Sequence, residues 1–170
     1  LACAKDAIQG DCVIAYGDIL FRHHLVDKLM ETTGDIVVVV DGQWRARGDE
    51  HQGDAAETVW VRDFAECSLP FGADFMDEDA PVALKRMGPD LDEGAISGEW
   101  VGLARVTETG AERVRAEIDA MLAEGLTKAG LPELFSRLVA KGVEISVAYV
   151  AGQWMDIDHA ADLNQAKLFL

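Results

Sequence analysis

The fold is decided by residues 12–42, CVIAYGDILFRHHLVDKLMETTGDIVVVVDG, in which two apolar runs flank an amphipathic segment. Cys12–Tyr16 and Ile36–Val40 are short, continuous apolar runs, which is typical of strands buried in a sheet. Between them, apolar residues recur at helical spacing over 25–30, and Thr32-Thr-Gly34 ends that helix. Strand, helix and strand within about 30 residues predict a right-handed βαβ unit with parallel strands.

The rest of the chain continues the alternation of apolar strands and amphipathic helices. Further strands are predicted over 58–61, 82–87, 96–106 and 143–150. Further helices are predicted over 1–8, 114–126, 132–141 and 159–169, and solvated loops over 41–56 and 74–79. The pattern predicts one α/β domain over residues 1–170, with three α/β/α layers and a mixed, mostly parallel central sheet.

Composition limits the classes of partner. The chain has 15 Lys and Arg against 31 Asp and Glu, a formal net charge of −16, and 49% of its residues are hydrophobic. The hydrophobic fraction is enough for a buried core, and the excess of acids argues against a nucleic-acid surface or a basic membrane patch. A phosphate-bearing ligand stays possible, because a metal ion inverts the local charge.

The cysteines and the longest apolar run indicate the compartment. Three cysteines without a Cys-x-x-Cys motif favour a reducing compartment over a disulfide framework or a zinc site. The longest apolar run, Ile36–Val40, is far shorter than the about 20 residues that span a bilayer, and no signal peptide is predicted. We therefore expect a cytoplasmic protein without a membrane segment.

The first candidate site residue is Asp18, which follows the first predicted strand in the sequence Tyr16-Gly17-Asp18. Ligands of open α/β sheets bind beyond the carboxyl ends of the strands, and Asp18 lies at such an end. Gly17 allows a ligand or a metal to approach the backbone closely. The structural alternative is that Asp18 is an ordinary turn acid or the N-cap of the following helix.

The second candidate is the acidic pair in Trp154-Met-Asp-Ile-Asp158. In an extended segment Asp156 and Asp158 point to the same side, and two carboxylates on one side repel unless a cation or solvent relieves them. Mg²⁺, a hard ion that prefers oxygen ligands, suits this arrangement. Alternatively, Asp158 is the N-cap of the last helix, and the two roles are compatible.

The third candidate is Gly98-Glu-Trp-Val-Gly102, inside the longest predicted strand. Glycines that interrupt a strand indicate a bulge or the close approach of a ligand. Trp100 fits a ligand contact and the plain core equally well.

Together these segments resemble one known family. GDCVIAYGDILF (10–21), DIVVVVDGQW (35–44), GEWVGLARV (98–106) and GQWMDIDHAADLNQA (152–166) are similar to the nucleotidyltransferase superfamily, in that order along the chain. The nearest group is the small cytidylyltransferases that activate phosphocholine, inositol phosphate or phosphonates. Some of these are fused to phosphoenolpyruvate mutase.

The resemblance implies a Rossmann-like fold, with a mixed central sheet and helices on both faces. It implies that Asp18 and Asp158 jointly hold Mg²⁺, with Asp156 as the alternative ligand on the second segment. It also implies that the segment Gly98-Glu99-Trp100 lies beside the second substrate.

One family feature is absent from the sequence. The family opens with a Gly-rich loop, ending in Gly-Thr-Arg, that cradles the triphosphate, and no such loop occurs here. We therefore expect that roughly the first third of the family domain, on the order of 80 residues, is missing. We also expect the chain alone to be inactive, and to self-associate or to be held by the missing segment.

The reaction implied by the resemblance is transfer of a nucleotidyl group, with CTP as the expected donor and a phosphate- or phosphonate-bearing small molecule as the acceptor. Pyrophosphate leaves, and Mg²⁺ is the expected cofactor. Two alternatives stay open at the level of the sequence. One is a glycosyltransferase that uses a nucleotide sugar, and the other is a non-catalytic α/β binding module.

Overall fold

The computed structural model describes residues 2–46, 62–72, 81–157, 160 and 162–169. Within these ranges the strands are β1 (Cys12–Ala15), β2 (Ile19–Phe21), β3 (Ile36–Asp41), β4 (Phe64–Cys67), β5 (Leu84–Gly88), β6 (Gly98–Val106), β7 (Ser146–Val150) and β8 (Trp154–Asp156). The α-helices are α1 (His24–Glu31), α2 (Glu108–Ala123), α3 (Leu131–Ala140) and α4 (Asp162–Phe169). Two 3₁₀ helices cover Ala2–Ala7 and Glu93–Ala95.

Local sequence explains the ends of the two longest helices. The hydroxyl of Thr107 accepts the N–H of Gly110 and caps α2, and the chain leaves this helix at Gly125, which has a φ of 82°. Pro132 lies in the first turn of α3, and Gly142, with a φ of 81°, follows its end. The stop at Gly125 and both ends of α3 are the ones that the sequence predicts, but α2 begins at Glu108, six residues before the predicted start at 114, because the cap at Thr107 starts the helix ahead of its apolar repeat.

The central sheet has the order β5-β4-β6-β3-β7, and β1 also pairs with β6. One side of β6 pairs with β3 along its length, whereas the other side pairs with β4 at Gly98 and Glu99 and with β1 from Leu103 to Val106. Strands β1, β3, β4 and β7 point one way, and β5 and β6 point the other way. The predicted mixed sheet is confirmed. Among the described pairings of this sheet, only β3 with β7 is parallel, so the pairings are mostly antiparallel where the sequence predicts a mostly parallel sheet. The reason is that β6 lies between β3 and both β1 and β4, and β4 lies between β5 and β6.

The predicted βαβ unit therefore differs in one respect. β1 and β3 do run in the same direction, but Cys12 and Ile36 both pair with Val106, so β6 lies between the two strands. A crossover helix fixes the direction of the second strand and leaves room for a later strand to insert between the two.

Helices cover both faces of the sheet, which confirms the three-layer α/β/α prediction. On one face α2 and α3 pack on alternate residues of β3, including Ile36 and Val38. On the other face Leu25 and Leu29 of α1 pack on Val37 and Val39. A strand with helices on both faces buries both sets of its side chains, and all six residues of β3 are buried.

Strand β1 is less buried than its apolar sequence predicts. Its residues alternate between partly buried and exposed, and Val13 is 46% exposed. The reason is that Cys12 and Ile14 pack against the core on one face of β1, whereas Val13 and Ala15 lie on the opposite, exposed face. β1 pairs with β6 along one edge, and no described residue pairs with its other edge. Pairing of this edge with a further strand or with a second copy stays a prediction.

Other elements depart from the sequence-based predictions. The first helix is a 3₁₀ helix, and the short strands β2 and β4 are not predicted. The predicted strand over 58–61 and the acidic loop over 74–79 lie outside the described residues. In the described part of the chain, no helix has the length and apolar character needed to cross a membrane.

Candidate active site

Three strands of the same direction bring the candidate residues to one edge of the sheet. Tyr16-Gly17-Asp18 follows β1, Asp41 is the last residue of β3, and the turn at Gly152 follows β7. Because β1, β3 and β7 point the same way, their carboxyl ends meet at this edge. That is where open α/β sheets bind their ligands.

Asp18 lies in the exposed turn between β1 and β2. No hydrogen bond or ion pair joins its carboxylate to another described residue. A Cβ added at Gly17 would have no atom within 4 Å among the described residues. The space beside Gly17 is therefore open, so packing within the described fold does not require glycine there.

The second acidic segment lies beside the first. β8 pairs with β2 in antiparallel register, with Ile19 opposite Asp156, and the N–H of Ile157 donates to the backbone carbonyl of Asp18 at 2.7 Å. Asp156 is partly buried. Asp158, which the sequence favours as the metal ligand, lies outside the described residues. Residues 18 and 156, far apart in sequence, are thus on adjacent backbone segments.

The donor chemistry of these segments fits a divalent cation. Carboxylate oxygens are the ligands that Mg²⁺ prefers, and Asp18 and Asp156 supply them from two neighbouring segments. Within the described ranges, no three His, Cys, Asp or Glu side chains form a metal cluster by themselves. The residues present therefore fit an ion that is held by one or two carboxylates and completed by substrate phosphates and water, which is common for Mg²⁺.

Asp41 is a third acid at the same edge, and its environment is the opposite of that of Asp18. It is 0% exposed. One carboxylate oxygen accepts the backbone N–H groups of Gln43 at 2.9 Å and Gly152 at 3.0 Å. The other accepts the indole N–H of Trp154 at 2.9 Å. Three donors satisfy this buried charge, so Asp41 joins β3 to the segment that leads into β8.

Glu99, expected beside the second substrate, is 4% exposed and pairs with Arg62. The guanidinium Nε–H donates to Glu99 at 2.7 Å, a second N–H of the same group also donates to this carboxylate, and the pair is bidentate. The Arg62 guanidinium also lies 5.2 Å from the ring centre of Phe64 and 5.7 Å from that of Trp44. Glu99 is therefore anchored at the start of β6 by a cation on two aromatic rings.

Gly98 and Trp100 have clear packing roles. A Cβ on Gly98 would lie 2.7 Å from the carbonyl oxygen of Asp41 and 2.4 Å from a methyl of Val40, so β3 and β6 approach too closely for a side chain. Trp100 is 4% exposed and its indole donates to the carbonyl of Leu103. Its ring packs edge-on against Tyr16 and against a core phenylalanine. Contact of either residue with a substrate stays a prediction.

Asp63 is a further acid of this region, and no sequence motif points to it. It precedes β4, and its backbone carbonyl accepts the N–H of Trp100. The pKa of Asp63 is raised to about 6, mainly by burial and to a lesser extent by the charge of Glu99. Burial also raises the pKa of Tyr16 to about 12, with smaller contributions from the charges of Asp63 and Asp18. Burial is therefore the main cause of both shifts, and neighbouring carboxylates add to it.

Of Asp41 and Asp63, only Asp41 is marked by a pattern in the sequence. Asp41-Gly42 follows an apolar strand just as Gly17-Asp18 does, so the carboxyl-end rule points to Asp41 as well. Asp63 gives no such signal, because the strand that it precedes has only four residues and two of these are polar or small.

Comparison with solved structures identifies the fold. The chain superimposes on the inositol-1-phosphate CTP transferase from T. maritima with a TM-score of 0.62 at 15% identity, covering 99% of this chain and 57% of that one. A putative glucose-1-phosphate thymidylyltransferase from Bacillus anthracis gives 0.61 at 13%, with 98% and 57% covered. The CTP:phosphocholine cytidylyltransferase from Streptococcus pneumoniae gives 0.58 at 13%, with 99% and 60% covered.

These similarities show that the chain has the Rossmann-like α/β fold found in nucleotidyltransferases. The chain spans slightly more than half the length of each of these three structures. No protein-family model matches the sequence, and no curated protein matches it.

Proposed function

We propose that this chain belongs to an enzyme that transfers CMP from CTP to a phosphate- or phosphonate-bearing small molecule and releases pyrophosphate. The observation that carries the proposal is the bond from the Ile157 N–H to the carbonyl of Asp18, which brings two acidic segments together at the carboxyl edge of the sheet. The fold shared with nucleotidyltransferases supports the same class of reaction. CTP is proposed because two of the similar structures are named for it.

In the proposed reaction, an oxygen of the acceptor phosphate or phosphonate attacks the α-phosphorus of CTP. The new phosphorus–oxygen bond forms as the bond from the α-phosphorus to the bridging oxygen breaks, and pyrophosphate leaves with that electron pair. The attacking oxygen is already an anion, so no general base is needed. Catalysis then depends on orientation of the two substrates and neutralisation of their charge.

Asp18, Asp156 and Asp158 are the residues that we propose would hold Mg²⁺. When bound, the ion supplies positive charge to oxygens that become more negative in the transition state. The net charge of −16 makes such compensation important, because the field of the protein repels both substrates. The open space at Gly17 lets a phosphate group approach the backbone. The segment Gly98–Trp100 is proposed to lie beside the acceptor.

The test is an assay of pyrophosphate release from CTP with Mg²⁺ and a panel of phosphocholine, sugar phosphates and phosphonates. It uses the full-length polypeptide that carries these residues. We expect release with at least one acceptor, and a reduction of about 10²–10³-fold in Asp18→Asn and Asp158→Asn, the loss typical of transition-state electrostatics. Asp158→Asn is informative because Asn caps a helix nearly as well as Asp but is a poorer Mg²⁺ ligand.

Asp35→Asn is the matched control. Asp35 precedes the opposite end of β3, where it accepts a hydrogen bond from Thr107, so its loss leaves the acidic edge intact. Release of a nucleoside diphosphate from a nucleotide sugar would show a glycosyltransferase instead. Absence of both products with every acceptor would favour the non-catalytic module, and wild-type turnover in both site variants would exclude the metal assignment.

A further inference from the structure

We propose that Asp41 is a positioning residue, whose buried carboxylate holds the turn between β7 and β8 and thereby sets the place of Asp156. This inference rests on the proposed function. Its starting point is the geometry of one side chain, which accepts three hydrogen bonds and is fully buried. A carboxylate that is fully buried and bonded on both oxygens does not reach a substrate, so its effect on the reaction passes through the residues that it holds.

The turn that Asp41 holds has an unusual backbone. Gly152 and Gln153 are consecutive residues with positive φ, 65° and 67°. A residue with a side chain rarely adopts this conformation, so the surrounding contacts must maintain it at Gln153. Asp41 bonds the residues on both sides, Gly152 through its backbone N–H and Trp154 through its indole. The carbonyl of Gln153 accepts the N–H of Arg22, which holds the turn from the side of β2.

The position of the turn determines the position of the acids. Trp154 is the first residue of β8, and Asp156 is its last, opposite Ile19 of β2. The same ladder continues to the bond between the Ile157 N–H and the Asp18 carbonyl. Displacement of the turn therefore changes how β8 pairs with β2, and with it the placement of Asp156 relative to Asp18.

Asp41→Asn tests this role with a minimal change of shape. The amide oxygen of Asn still accepts the two backbone N–H groups, but its NH₂ group then faces the indole N–H of Trp154, and two donors cannot bond each other. Trp154→Phe removes the indole donor and keeps the carboxylate, and it serves as the second variant if Asp41→Asn does not fold. Asp35→Asn is the control, because it alters a carboxylate at the other end of β3.

The first readout is amide hydrogen exchange, which requires neither substrate nor metal. In Asp41→Asn we expect the N–H groups of Ile157 and Arg22 to exchange at least about 10-fold faster, with Val37 and Val147 in the sheet interior unchanged. Asp35→Asn should not show this selective change. An unchanged Ile157 amide, or equal acceleration at all four amides, would overturn the inference.

The second readout is Mn²⁺ binding to the whole chain, measured by electron paramagnetic resonance. We expect the dissociation constant to rise about 10-fold in Asp41→Asn, the order of loss seen when outer-shell partners of metal ligands are removed, and to stay unchanged in Asp35→Asn. Faster exchange at Ile157 with unchanged Mn²⁺ affinity would overturn the positioning role. A wild-type chain that binds no Mn²⁺ would contradict the proposed function, and the exchange data would then decide the structural part of the inference.

Discussion

Strands β1 and β3 run in the same direction on the two sides of β6, and each leads into an Asp and a Gly, yet the two acids have opposite environments. Asp18 is exposed, and no described residue bonds its carboxylate. Asp41 is fully buried and accepts three hydrogen bonds. The same local pattern thus gives an available carboxylate at the end of one strand and a structural carboxylate at the end of the other.

The difference follows from the neighbours of each strand. β3 lies between β6 and β7 and has helices on both faces, so groups from other elements surround its last residue. β1 pairs with β6 along one side, and the described residues provide no second neighbour. Sheet position, rather than the sequence around the acid, decides whether it is free for a ligand.

The largest expected effect on stability concerns two glycines, Gly98, which faces the end of β3, and Gly17, which follows the end of β1. Gly98→Ala should destabilise the fold by about 3 kcal/mol or more, because the added Cβ meets the carbonyl oxygen of Asp41 at 2.7 Å and strand backbone cannot move easily. Gly17→Ala should change stability by less than about 0.5 kcal/mol, because that space is open. Urea denaturation of both variants measures the contrast, and equal effects would show that the two ends are packed alike.

The apolar side chains of the two strands should differ in the same way. Val38 is 0% exposed, so Val38→Ala should cost about 2 kcal/mol through lost burial and the cavity that remains. Val13→Ala should cost less than about 0.5 kcal/mol, because Val13 is 46% exposed. A cost at Val13 as large as that at Val38 would mean that another strand or a second copy covers β1 in solution.

A pH-dependent effect is expected at Asp63. Its pKa is raised to about 6 in the fold, first by burial and then by Glu99, so the folded state favours the protonated carboxyl. The resulting penalty on stability is absent below the unfolded pKa of 3.8 and fully present above about 6. Asp63→Asn should therefore be about 1–2 kcal/mol more stable than wild type near pH 7, after allowance for solvent screening. Denaturation at about pH 3.5 is the control, where the two proteins should agree to within about 0.5 kcal/mol.

The smallest effect on stability is expected at Asp18. Asp18→Asn should change the free energy of unfolding by less than about 0.5 kcal/mol, because the carboxylate is exposed and bonds no described residue. Its effect on activity should be large, as proposed above. A loss of more than about 1 kcal/mol in urea denaturation would favour the turn or capping role for this acid over the metal role.

The sequence by itself determined the strands and helices whose buried side chains recur at a regular spacing along the chain. The apolar run of β3, the helical spacing in α1, α2 and α3, and the stop at Gly142 all agree with the structure, because periodic burial leaves a periodic pattern. The short strands β2 and β4 were not predictable, since three or four residues are too few to show a period. The resemblance of the acidic motifs to nucleotidyltransferases agrees with the fold of the similar solved structures.

Only the tertiary structure decided the burial and the bonding partners of each candidate residue. The pairing of β2 with β8 brings the backbone segments of Asp18 and Asp156 together. Glu99 forms an ion pair with Arg62. The turn after β7 covers Asp41 and donates a hydrogen bond to it. None of these contacts is local in sequence. The sequence could place acids at the ends of strands, because the end of an apolar run marks the end of a buried strand. Strand order sets the neighbours and therefore the burial and charge environment of each acid, and it depends on contacts between residues that are far apart in sequence.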